Sequence, residues 1–170
     1  MVPVDTMPTS TSMAEKQQPD VASELWTNGL GAFWGEALDR GVVKTGGLSM
    51  SGGGEGFWLP KSLVDANPEL ATIDGVLANP QLFPLPEGID KGAFYGCPAG
   101  WNCQITTTKL FQAYDMEGAG FEYVDPGSGA ALGAAAAGAH DKGEGFFGYY
   151  WGPTALLGTR DFVRVSVGAE

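Results

Sequence analysis

The sequence predicts an α/β layered fold, and three observations carry that expectation. Short apolar runs of strand character alternate with stretches of helical spacing, glycine and proline punctuate the joins, and no internal repeat interrupts the alternation. With 170 residues, 44% hydrophobic and 17% charged, the chain has a globular composition and enough length for one core, so a single domain is expected. Its 27 glycines keep no fixed period, which excludes a collagen-like fibre.

The elements follow in order. After a polar lead-in, Asp20 to Leu25 reads as a short strand. Trp26 to Asp39 reads as an amphipathic helix, with Leu30, Phe33, Trp34, Ala37 and Leu38 at helical spacing and Gly41 as its stop. The glycine-rich SMSGGGEG leads into FWLP, a strand that Pro60 hands to a helix beginning PKSLVDANP. The prolines of NPQLFPLPEG, residues 79 to 88, predict an extended surface loop. GAFYGC is a strand, and the helix after Cys103 carries Ile105, Leu110, Phe111 and Tyr114. FEYV is a strand, DPGSG a turn, and an alanine-rich helix runs from about Ala130 to Asp141, with Ser128 as its cap. GFFGYYW reads as a buried strand, GPT as a turn and DFVRVSV as the last strand.

Charge and hydropathy exclude several functions. A net charge of −11, from nine basic and twenty acidic residues, argues against nucleic acid or an anionic membrane surface as partner. No apolar run approaches the roughly 20 residues that cross a bilayer. The first twenty residues lack the basic start and apolar stretch of a secretory signal. SGGGEG lacks the lysine and Ser/Thr of a phosphate-binding loop. His140 is expected at the surface, and Asp20 and Glu24 are expected to face solvent or pair locally. No serine, histidine and carboxylate pattern and no glycosidase-like pair of acids stands out, so no catalytic residue is expected.

The only two cysteines bracket a tryptophan in GCPAGWNC, residues 96 to 103. A lone pair so spaced supplies two zinc ligands, and His140 is the only histidine, so no metal site is expected. The spacing is not that of a thioredoxin-like motif. A disulfide remains, with Pro98 and Gly100 tightening the loop, and it implies an oxidising compartment. Such a ring is worth roughly 2 to 3 kcal/mol by loop entropy, so its effect is mainly geometric. Two readings of Trp101 stand side by side: a core residue in a stapled loop, or a ring aimed at a ligand.

Trp26, Trp58, Trp101 and Trp151 each fall at a predicted element boundary, whereas Trp34 lies inside a helix and reads as core. A set of indole faces attracts a quaternary ammonium, which has no N–H to donate and cannot be held by ordinary hydrogen bonds.

Four stretches, PDVASELWTNGL at 19 to 30, GCPAGWNCQI at 96 to 105, DPGSGAALGAAAAGAHDKGE at 125 to 144 and FFGYYWGPT at 146 to 154, together resemble the glycine betaine/proline-betaine substrate-binding proteins of ABC importers. The resemblance implies an α/β lobe of the type II periplasmic-binding-protein kind, a central mixed sheet flanked by helices. It implies that Trp101, Trp151 and Trp26 enclose the trimethylammonium group and that the main-chain N–H groups of Asn102 and Cys103 hold the ligand carboxylate in part. Asn102 stands where members of the family often have glycine. What is present resembles mostly the second lobe: a lead-in or hinge-crossing segment over 1–19, a substrate-binding lobe over 20–167 and a tail over 168–170. The partners implied are a small quaternary ammonium ligand and the membrane subunits of an ABC transporter, with no cofactor and no enzymatic activity. The implied location is periplasmic or extracytoplasmic, with the signal outside this sequence. The rival reading is a truncated module that keeps the fold, serves in structure or interaction, and dimerises through aromatic surface left bare by the missing lobe.

Overall fold

The computed structural model describes residues 6–48, 51–85 and 90–168. The start of the lead-in, Ser49 and Met50, the end of the predicted loop from Pro86 and the last two residues of the tail lie outside the described residues. Where the sequence predicts a single compact domain, the chain forms two compact units: Met1–Ser51 with Gly100–Asn102, and Gly52–Ala99 with Cys103–Glu170. Each buries its own apolar cluster, which is the physical reason for the division.

In the first unit, α1 (Thr6–Lys16) occupies most of the polar lead-in. Pro8 is tolerated because a first-turn proline lacks only an N–H that would have no partner in the helix. α2 (Ala32–Asp39) follows a 3-10 turn at Thr27–Gly29. The predicted helix from Trp26 is therefore broken, and Gly31 at φ 70° breaks it, a left-handed backbone that does not continue a right-handed helix. Leu30, Trp34, Ala37 and Val43 form the cluster, with Met13 and Ala14 packed against it. Trp34 is core, as its helical spacing predicts. Residues 20–25 are not a strand: Val21 is 79% exposed, and no strand among the described residues of this unit is there to pair their backbone.

The second unit is built on a five-stranded mixed sheet. Its strands are β1 (Gly54–Pro60), β2 (Gly92–Tyr95), β3 (Phe121–Val124), β4 (Gly148–Gly152) and β5 (Phe162–Arg164), in the order β3-β2-β4-β1-β5. β1 runs antiparallel to β4 and β5, and β2 runs parallel to β3 and β4. The helices are α3 (Lys61–Ala66), α4 (Ile73–Leu77), α5 (Asn102–Ala113, of which only the first residue belongs to the other unit), α6 (Gly129–Lys142) and α7 (Ala155–Thr159). Among the described residues no helix is long and apolar enough to cross a membrane.

The core of this unit is aromatic. Phe94 on β2 packs edge to face on Phe57 of β1 at 5.0 Å and lies 5.0 Å from the Phe147 ring. Phe83 joins them, which corrects the reading of residues 79–88 as surface loop. A 3-10 turn at Pro80–Leu82 turns the chain, Phe83 is 1% exposed against Phe121 and Phe147, and its carbonyl accepts the Ala93 N–H at 2.6 Å. The turn after β4 likewise holds more structure than the sequence suggests: after the cis Gly152–Pro153 peptide, α7 starts with the Thr154 side chain accepting the Leu157 N–H. β5 is shorter than the apolar run over 161–167: one further bond to β1 follows Arg164, from the Val165 N–H to the Phe57 carbonyl, and the chain then leaves β1 for an isolated bridge between Ser166 and Thr72.

Candidate functional site

The cysteine loop leaves the end of β2. Gly96 donates its N–H to the Val124 carbonyl and lies so close to the Tyr123 ring and hydroxyl that no β-carbon fits there. Cys97, fully buried, is bonded to Cys103 with the Cα atoms 5.7 Å apart, within the ordinary disulfide range.

Two further ties hold the loop. The buried Thr107 hydroxyl accepts the Cys97 N–H at 3.3 Å and donates to the Gln104 carbonyl at 3.2 Å, so one side chain binds the backbone on both sides of the bridge. Its only proton thus spent, it accepts from the Tyr123 hydroxyl at 2.9 Å. The Asp125 carboxylate accepts the Ala99 N–H at 3.3 Å and the Gly127 N–H at 2.8 Å.

Trp101 follows Gly100, whose φ of 86° makes the turn, and directly precedes α5. Asn102 and Cys103 are the first two residues of that helix, where backbone N–H groups have no intrahelical acceptor and the helix dipole is positive. Trp101 is half-buried.

Within the first unit, Asn102 and the turn after Trp26 touch. The Asn102 amide occupies the place a β-carbon would take at Gly29, so a side chain there would have to displace it. Trp26 itself is half-buried, and its indole N–H donates to the Glu24 carboxylate at 2.8 Å. Glu24 therefore pairs locally.

Trp151 lies in the other unit, near the end of β4. Its ring stacks on Tyr150 at 4.6 Å and on Tyr149 at 6.1 Å, both at 26° between planes, and it remains half-buried. Across the ladder it faces Glu55, as Tyr149 faces Phe57. Tyr149 is nearly buried, and burial first, then the Glu55 charge and a hydrogen bond to Glu55, push its hydroxyl far above the ordinary tyrosine range. Sequence reasoning passed over Glu55 and Tyr149, because their neighbourhood with Trp151 follows from strand register, which no local pattern in one sequence announces.

Trp58 is not at an element boundary. It sits within β1, and its indole N–H donates to the Tyr150 carbonyl at 3.1 Å, so it ties β1 to β4. His140 is half-buried rather than exposed, stacked on Phe162 at 5.5 Å. Its neighbour Asp141 takes both Arg160 nitrogens at 2.8 and 2.7 Å, and the hydrogen bonds from Arg160 and then His140 hold this carboxyl well below the usual range. Among the described residues no three His, Cys, Asp or Glu side chains cluster as metal ligands would.

A family model described as the substrate binding domain of ABC-type glycine betaine transport system, OpuAC, matches residues 1–167. The glycine/betaine/L-proline-binding protein ProX from Borrelia burgdorferi is similar in structure, with a TM-score of 0.66 at 18% identity over 97% of this chain and 56% of that one. An ABC-transporter choline binding protein in complex with choline gives 0.62 at 16% identity, covering 95% and 52%. Lactococcal OpuAC, closed and complexed with glycine betaine, gives 0.60 at 17% identity, covering 96% and 57%. The chain thus spans little more than half the length of these structures, and at such identities the likeness is one of fold, an α/β fold of the periplasmic-binding-protein kind. No curated protein sequence matches the chain significantly.

Proposed function

The chain belongs to the family of substrate binding domains of ABC-type glycine betaine transport systems, and on that premise we propose that it binds a methylated ammonium compound for an ABC importer. Trp101, Trp151 and Trp26 offer their π faces to the cation, and the N–H groups of Asn102 and Cys103 take an anionic or polar end of the ligand. The lobe over 20–167 does this outside the cytoplasm, where the Cys97–Cys103 bond persists, and delivers the ligand to the transporter's membrane subunits. The role is binding, with no chemical step.

The observation that carries the reading is the bridged loop. It presents an indole immediately before two helix N-terminal N–H groups, so an aromatic face for a cation and dipoles for an anion are one residue apart. Backbone donors suit the anionic end, because they add no competing cation beside the aromatic rings.

Isothermal titration with glycine betaine, choline and proline betaine tests it. Rings that each contribute up to about 2 kcal/mol predict dissociation constants in the micromolar to sub-millimolar range. Trp101→Ala and Trp151→Ala are each expected to weaken binding by about tenfold or more. A chain that responds to none of these ligands at millimolar concentration, and is a dimer by light scattering with or without them, overturns the proposal in favour of an interaction module.

A further inference from the structure

The aromatic side chains at the end of β4 have an acidic neighbour. In the antiparallel β1–β4 ladder Glu55 is paired with Trp151, and Phe57 with Tyr149. Residues opposite one another project to the same face with β-carbons about 4.5–5.5 Å apart. Glu55 is exposed and makes no ion pair with Lys or Arg among the described residues. Arg164 projects from the opposite face, its side chain lying over Gly56 where a β-carbon would come within 2.7 Å of it. The carboxylate thus stands beside the stacked Tyr149 and Trp151 rings with no cationic side chain on its own face of these strands.

We propose that Glu55 sets the charge preference of the Trp151 end of the site: it favours a methylated ammonium ligand of net positive charge, the choline class, over a zwitterion such as glycine betaine. This rests on the reading that Trp151 faces the ligand's cation. Indole faces attract the methylated cation equally in both ligands, because the quadrupole sees only the ammonium end. A fixed carboxylate discriminates: it adds attraction for a monocation, while its pull on a zwitterion's ammonium is offset by repulsion of the ligand's own carboxylate. At a separation of about 6 Å and the high effective dielectric of an exposed group, the difference amounts to about three- to tenfold in relative affinity.

The test measures dissociation constants for choline and glycine betaine on the full chain and on Glu55→Gln, which removes the charge and keeps an acceptor for the Tyr149 hydroxyl. The native chain is expected to bind choline more tightly. In Glu55→Gln choline is expected to weaken by about three- to tenfold while glycine betaine changes less than about twofold. Glu55→Asp is expected to keep the native preference, and the native preference is expected to shrink with added salt while that of Glu55→Gln does not. If both ligands bind and Glu55→Gln leaves their ratio unchanged, or if the native chain prefers glycine betaine, the role of Glu55 is overturned and the proposed function stands. If neither ligand binds, the proposed function falls and this inference falls with it.

Discussion

Trp101 and Trp151 are two candidate ligand-facing rings fixed by opposite means. Trp151 sits on a strand laddered to β1, so the register sets its direction and Tyr149 and Tyr150 stack against it. Trp101 sits in a loop with no ladder, and its ends are held by a disulfide, the Thr107 hydroxyl and the Asp125 carboxylate. A residue inside a sheet inherits its orientation from register. A residue in a loop must have it supplied by cross-links, each carrying a share. Perturbing the ladder should therefore act at once and as a whole, and perturbing the loop should act in instalments.

The largest effect is expected where β4 meets β2. Gly148 pairs with Tyr95, and a β-carbon there would lie 2.7 Å from both the Tyr95 β-carbon and its carbonyl oxygen. Neither atom can swing aside, so Gly148→Ala should cost about 3 kcal/mol, read from the urea midpoint. It should also weaken ligand binding through Trp151. A neutral result would mean the strand has slack and would dissolve the contrast.

On the loop side, Cys97→Ala with Cys103→Ala should cost about 2–3 kcal/mol by loop entropy. The fold should survive by circular dichroism, with binding reduced rather than abolished, since Thr107 and Asp125 still hold the loop. Complete loss of binding would show that the sulfur bridge alone sets Trp101. Thr107→Val is expected to cost about 1–2 kcal/mol, because it leaves the buried Cys97 N–H without its acceptor, and Thr107→Ser should recover most of that. If valine is harmless, the hydroxyl is not a tie and the loop depends on the bridge and Asp125.

The two regions also differ in how far they were legible in the sequence. The strands FWLP, GAFY, FEYV and GYYW and the helices from Lys61, Asn102 and Gly129 follow from apolar runs bounded by glycine and proline. The cysteine pair was legible because two thiols alone in a chain leave few alternatives, and the structure joins them. Where the reading failed, long-range contact outweighed local pattern. The lead-in is helical because Met13 and Ala14 pack on the cluster around Trp34, and Phe83 turns inward from a proline-rich stretch to reach Phe121 and Phe147. Asp20 to Leu25 has strand-like residues but, among the described residues, no neighbouring strand to pair with. The pairing of Glu55 with Trp151 belongs to the same class, since residues 55 and 151 are linked only by a register that the whole sheet decides.

The smallest expected effect tests how dry the strand side is. Tyr149 is held protonated in the folded chain, by burial first and then by the charge and hydrogen bond of Glu55, whereas in the unfolded chain its phenol ionises near pH 10. Below that pH both states carry the proton and Tyr149 adds no pH dependence. Above it the unfolded state releases a proton that the folded state retains, so stability falls as pH rises, by at most about 1.4 kcal/mol per pH unit from this one group. Burial also raises Tyr95 and Tyr150, so the native chain carries their slopes as well. Tyr149→Phe isolates the difference. It should be less stable than the native chain at pH 8, where it has lost the bond to Glu55, and the gap should narrow by about 0.8 kcal/mol by pH 10.5 in urea unfolding. A gap that stays constant across this range would mean the phenol ionises as easily in the fold as out of it. Water would then reach the Tyr149 hydroxyl, and Trp151 beside it would be no better shielded than a ring in a loop.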